Sequence, residues 1–82
     1  MEGYYYVYIL QSVSHPEQQY TGQTQHLKQR LDGHNGGNVP HTSKFLPWVI
    51  RSATAFRDKD RALAFERYLK TGSGRAFLRR HL

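Results

Sequence analysis

The sequence predicts a small α+β domain, a three-stranded antiparallel sheet flanked by helices in the order β-β-α-β-α-α. Three observations predict it. Aromatic and β-branched runs at 4–11, 19–23 and 48–56 read as strands. Apolar residues at helical spacing run through 25–35 and on to about Lys70 in a second stretch. Eighty-two residues without linkers, repeats or low-complexity tracts make one domain over 1–82.

The first strand, YYYVYILQ at 4–11, does not alternate cleanly, which suits a strand covered on both faces. Residues 12–18 are polar with a proline and make a turn. QYTGQ at 19–23 pairs back as a hairpin, and Gly22 ends it or admits a close approach to the backbone. Thr24 is a candidate N-cap for a helix over 25–35 with Leu27 and Leu31 inward, stopped by Gly36-Gly37. A loop through Pro47 leads to the third strand. Asp58 or Asp60 caps the next helix, with Ala62, Phe65 and Leu69 inward. Gly72-Ser73-Gly74 breaks it, and Arg75–Leu82 forms a last helix capped by Ser73.

Lys and Arg number 12 against 6 Asp and Glu, a net charge of +6, which favours a polyanionic partner, most simply nucleic acid. The absence of cysteine excludes disulfides and thiolate metal sites. The longest apolar run, Tyr4–Leu10, is too short for a membrane span and lacks a basic N-terminal flank, so a cytoplasmic protein without membrane association is expected.

Five side chains stand out as candidates for chemistry: Tyr8, Tyr20, Arg30, His34 and Glu66. A phenol beside a cation can give up its proton, although several of the six tyrosines must simply fill core. Arg30 and His34 lie one helical turn apart and point the same way. A guanidinium suits a phosphate, and a neutral imidazole accepts a proton. Glu66 is the lone acid between Arg61 and Leu82. Its carboxylate fits Mg²⁺, which takes few protein ligands and keeps its waters; the alternative is an intrahelical pair with Lys70. Lys44, Lys70, Arg75, Arg79 and Arg80 are candidate phosphate contacts.

Taken in order, these residues resemble the GIY-YIG nuclease family, and in particular its small single-domain bacterial members. Tyr6-Val7-Tyr8 stands where the family has Gly-Ile-Tyr, and Tyr20-Thr21-Gly22 where it has Tyr-Ile-Gly. Arg30, then His34 in RLDGHN, then Glu66 in ALAFERYLK follow at compatible spacings. The late asparagine that many family nucleases place near the phosphate has no counterpart, since no Asn follows Asn38.

The resemblance implies a Mg²⁺- or Mn²⁺-dependent endonuclease acting on DNA or RNA, structure-preferring or weakly sequence-specific, with a role in DNA repair or recombination. It implies Tyr8 or Tyr20 as the phenolic base or its helper, and Arg30 on the scissile phosphate. His34 would orient or deprotonate the water or the phenol, and Glu66 would hold the metal. With no added DNA-binding domain, target choice would fall to the chain's own surface or to a protein partner. The rival expectation is a nucleic-acid-binding module of the same fold that cuts weakly or not at all.

Overall fold

The first strand, β1 (Tyr5–Ser12), forms the centre of the sheet. It lies between β2 (Gln19–Thr24) and β3 (Trp48–Phe56), antiparallel to both. The computed structural model describes residues 3–82. Helix α1 (Leu27–Asn35) and a short 3-10 helix at Ser43–Phe45 lie between β2 and β3; α2 (Lys59–Leu69) and α3 (Gly72–His81) follow β3. The predicted order and strand pairing are therefore observed.

The two faces of β1 belong to two cores. Val7 and Ile9 join Ala62, Leu69 and Leu78 on the α2–α3 side, with Phe56, Phe65 and Phe77 around them. Tyr8 and Leu10 join Trp48 on the other side, with Tyr20, Leu27, Leu31 and Phe45. Val7, Tyr8, Ile9 and Leu10 are all at most 2% exposed, which explains why their run shows no polar alternation. Each such fully buried apolar side chain contributes about 1.5–3 kcal/mol. The register places Tyr8 opposite Gly22 and Leu10 opposite Tyr20. A bulge between Ile9 and Leu10 offsets the pairing with β3.

Capping differs from the sequence reading at two helices. The Oγ1 of Thr24 accepts from the His26 amide at 3.1 Å, and α1 begins only at Leu27, with no side-chain cap. The hydroxyl is thus used in a local turn before the helix. The C-terminal end of α1 is held by Asn35, whose Oδ1 accepts from the Trp48 amide at 2.6 Å and whose Nδ2 donates to the Trp48 carbonyl at 3.0 Å. That pair replaces one rung of a missing strand and fixes where α1 meets β3. At α2 the Asp58 side chain accepts from the Asp60 amide, as expected.

Thr71, not Ser73, caps α3: its Oγ1 accepts from the Gly74 amide at 3.1 Å and donates to the Tyr68 carbonyl at 2.6 Å. One hydroxyl therefore ends α2 and starts α3. The Gly-Ser-Gly segment lies inside the first turn of α3, not before it. Gly74 is buried where α3 crosses the end of α2, and a Cβ there would run into the Tyr68 carbonyl and the Leu69 backbone. Its role is close packing of backbone on backbone.

Helix propensity alone would make Gly74→Ala stabilising by about 1 kcal/mol. The expected outcome is the reverse, a loss of about 3 kcal/mol or more, because rigid backbone must move. Gly72→Ala, where a Cβ meets nothing within 4 Å, should be neutral or stabilising. Urea midpoints of the two variants check the contrast.

Candidate active site

Tyr8 reaches its partners only because Gly22 has no side chain. The Tyr8 ring lies across β2 at that residue, where a Cβ would stand 2.5 Å from its Oη. Beyond Gly22 the phenol meets α1. Arg30 Nε donates to Tyr8 Oη at 3.2 Å, and Tyr8 Oη lies 3.1 Å from His34 Nε2. The i,i+4 spacing on α1 puts both partners on one phenol. Tyr20, two residues from Gly22 on the same face of β2, packs its ring, tilted, 4.7 Å from that of His34 and 6.2 Å from that of Tyr8.

The proton positions follow from the outer end of the network. Thr42 Oγ1 has a single proton, and giving it to the Val39 carbonyl at 3.2 Å leaves the oxygen an acceptor for His34 Nδ1 at 2.9 Å. In that arrangement His34 carries its proton on Nδ1 and presents a bare Nε2 to accept from Tyr8 O–H. The Thr42 carbonyl in turn takes Trp48 Nε1–H at 2.8 Å, tying this loop to the core. His34 and Thr42 are at most 1% exposed, whereas Arg30 is exposed and Tyr20 half-buried.

Burial sets the charges. It raises the Tyr8 phenol above its usual value, overcoming the Arg30 guanidinium, which acts the other way; the phenol of Tyr20 and the carboxylate of Glu66 add to the rise. Burial also lowers His34, and the Arg30 charge lowers it further. The Arg30 guanidinium is raised, chiefly by its hydrogen bond to Tyr8. The resting pair is a neutral phenol on a neutral imidazole, beside a cation with several of its five N–H donors left for an anion.

Glu66 is half-buried on α2, and its charge is felt at Tyr8. Its Oε2 accepts from Lys70 Nζ at 3.0 Å, so the intrahelical pair weighed as an alternative does form. Among the described residues no group of three or more His, Cys, Asp or Glu is placed to hold a metal ion. A lone carboxylate still fits Mg²⁺ or Mn²⁺, provided water and substrate oxygens supply the other ligands and Lys70 gives way. Four of the five candidates, Tyr8, Tyr20, Arg30 and His34, form one cluster, and Glu66 adjoins it electrostatically.

The basic candidates divide. Lys70, Arg75 and Arg79 line one groove together with Tyr20. Lys44 is exposed on the 3-10 helix and Arg80 is exposed on α3; neither lines that groove. The sequence reading did not single out Thr42, whose position in a polar loop carries no signal of a buried hydroxyl on His34.

A family model described as the GIY-YIG catalytic domain matches residues 4–79, nearly the whole chain. No curated protein gives a significant match.

Thr42→Val leaves the buried His34 Nδ1–H without an acceptor and should cost about 1–3 kcal/mol, with Thr42→Ser restoring most of it; urea unfolding measures both. A pH dependence follows from His34. Its folded pKa lies below the unfolded value of about 6.5, so the unfolded chain binds the extra proton first as pH falls. Its contribution to stability is full above about pH 6.5 and is lost as pH drops from there toward the folded pKa. Unfolding midpoints between pH 7.5 and 5 should fall for wild type and flatten for His34→Gln.

Proposed function

The chain belongs to the GIY-YIG family, a nuclease family, and from that premise we propose that it is a Mg²⁺- or Mn²⁺-dependent endonuclease hydrolysing phosphodiester bonds in DNA, with RNA as a further substrate class. The observation that carries this reading is the hydrogen-bonded line Arg30–Tyr8–His34–Thr42, assembled from a strand, a helix and a loop at one spot. A structural tyrosine needs one partner for its hydroxyl. Tyr8 has a cation on one side and an imidazole nitrogen on the other.

Hydrolysis requires a water to lose a proton as it attacks phosphorus, while the P–O bond to the leaving oxygen breaks and that oxygen takes a proton from bulk water. Tyr8 Oη accepts from Arg30 and donates to His34, leaving one lone pair for the proton of the water. As that proton arrives, the proton of Tyr8 passes along its hydrogen bond to His34 Nε2. The imidazolium so formed keeps Nδ1–H on Thr42. No free phenolate is needed, which fits a phenol whose burial opposes ionisation. The remaining N–H groups of Arg30 hold the phosphate oxygens and stabilise charge growing on them. Tyr20, the more exposed phenol, packs against His34 and is also a lining residue of the neighbouring groove. A divalent cation on Glu66 would supply Lewis-acid stabilisation of the same oxygens.

A single domain of residues 1–82, a cytoplasmic location, a place in DNA repair or recombination, and a protein partner that helps choose the target accord with this reading. Among the described residues no helix is long and apolar enough to cross a membrane. One observation favours a binding module instead: Lys70 already pairs at 3.0 Å with Glu66, the carboxylate proposed to hold the metal.

Cleavage of single-stranded, nicked and branched DNA with Mg²⁺ or Mn²⁺ separates the two. Arg30→Ala, Tyr8→Phe and Glu66→Ala should each lower the single-turnover rate by about a hundredfold or more, the scale of losing one electrostatic or proton-transfer partner. Oligonucleotide binding should survive in Glu66→Ala. Equal residual cutting by wild type and Glu66→Ala, with binding intact, establishes the module.

A further inference from the structure

A groove of about 580 Å³ runs beside the proposed centre, between the free edge of β2 and the α2–α3 corner. Leu69 and Leu78 contribute apolar lining, Gln18, Gln19 and Thr21 come from the β2 side, and Lys70, Arg75 and Arg79 from the helices. Tyr20 is one of its lining residues, and the ring of the same residue lies 4.7 Å from that of His34, so the groove and the cluster adjoin at Tyr20.

Arg75 and Arg79 lie one helical turn apart, about 5–6 Å, on one face of α3. Neither is in an ion pair among the described residues. The usual structural reason for a basic residue on a helix covers Arg79, Arg80 and His81, which sit in the last turn and offset the macrodipole. It does not explain Arg75. That residue directly follows the first turn of α3, which holds no acid, and a cation near this end of the helix opposes the dipole. An anion in the groove removes the conflict.

We propose that this groove receives the sugar–phosphate backbone of one polynucleotide strand flanking the bond brought to Tyr8, with Arg75 and Arg79 as its phosphate contacts. The proposal rests on the nuclease reading for the identity of the strand. Lys70 adds a third cation only when Glu66 releases it, so the two arginines provide the binding charge of the resting protein. The lone acid lining the groove, Glu17, opposes the strand.

The test is fluorescence anisotropy of a short labelled single-stranded DNA in EDTA across a salt series, with wild type, the double variant Arg75→Gln/Arg79→Gln, and Glu17→Gln. Loss of two phosphate contacts should weaken binding at least about tenfold and reduce the slope of log K against log salt by about 1.4, at about 0.7 per contact. Glu17→Gln, a surface change that leaves the helices untouched, should tighten binding several-fold, so the proposal stays testable even if the double variant folds poorly. Wild-type affinity and slope in both variants overturn it. The nuclease reading fails separately. Equal cutting of this DNA in Mn²⁺ by wild type and Glu66→Ala removes that reading while the groove stands. Metal-dependent cutting with unchanged binding in the groove variants removes the groove while the nuclease stands.

Discussion

Tyr8 on the central strand is the constraint from which the site and much of the packing follow. β1 is sealed by α2 and α3 on one face and by α1 on the other, so almost nothing polar can survive along it. A phenol can be accommodated because its ring is apolar and its single hydroxyl can be carried to an edge. The bare backbone of Gly22 opens the way across β2, and α1 must then supply partners for the oxygen at the far side. His34 and Arg30 do so from consecutive turns. Had α1 been rotated by one residue, the hydroxyl would be buried without a partner, at a cost of about 1–3 kcal/mol. Stability of the second core and geometry of the candidate chemistry are thus the same requirement.

The low-dielectric setting sorts the polar groups by depth. Tyr8, His34 and Thr42 are nearly or wholly buried and are held neutral, in a line where each hydroxyl and ring nitrogen has a hydrogen-bond partner. Charges lie outside them. Arg30 is exposed on α1, and Glu66 reaches the region from α2, the helix on the opposite face of the sheet. A buried charge without a partner would be costly, whereas a cation at the rim is solvated and still acts on the phenol across one hydrogen bond.

The two intrahelical ion pairs illustrate how position changes the meaning of one motif. Lys28 and Asp32 form their 3.0 Å pair with side chains 90% and 64% exposed, on the outer face of α1. Such a pair contributes a few tenths of a kcal/mol. Lys70 and Glu66 have the same spacing and distance, but the glutamate side chain is only 20% exposed and its charge is felt at Tyr8. The lysine also lines the groove beside Tyr20. It is therefore placed between two anions, one present and one proposed, and cannot neutralise both.

The order of elements and the pairing of the strands were legible in the sequence, because a two-faced apolar strand, a hairpin turn and two amphipathic helices leave few ways to bury their surfaces. The family was legible too, through residues whose spacing along the chain is itself a sequence property. Local hydrogen bonding was not. Whether Thr24 caps a helix or closes a turn, and whether Gly74 breaks a helix or lets two backbones touch, depends on neighbours brought in from other elements. The same holds for the site. The sequence placed Arg30 and His34 on one helical face, but it could not set their tautomer, their partner or their charge. Those depend on Thr42 arriving from a loop and on Gly22 lacking a side chain, and they were decided only when the tertiary fold removed water from around Tyr8.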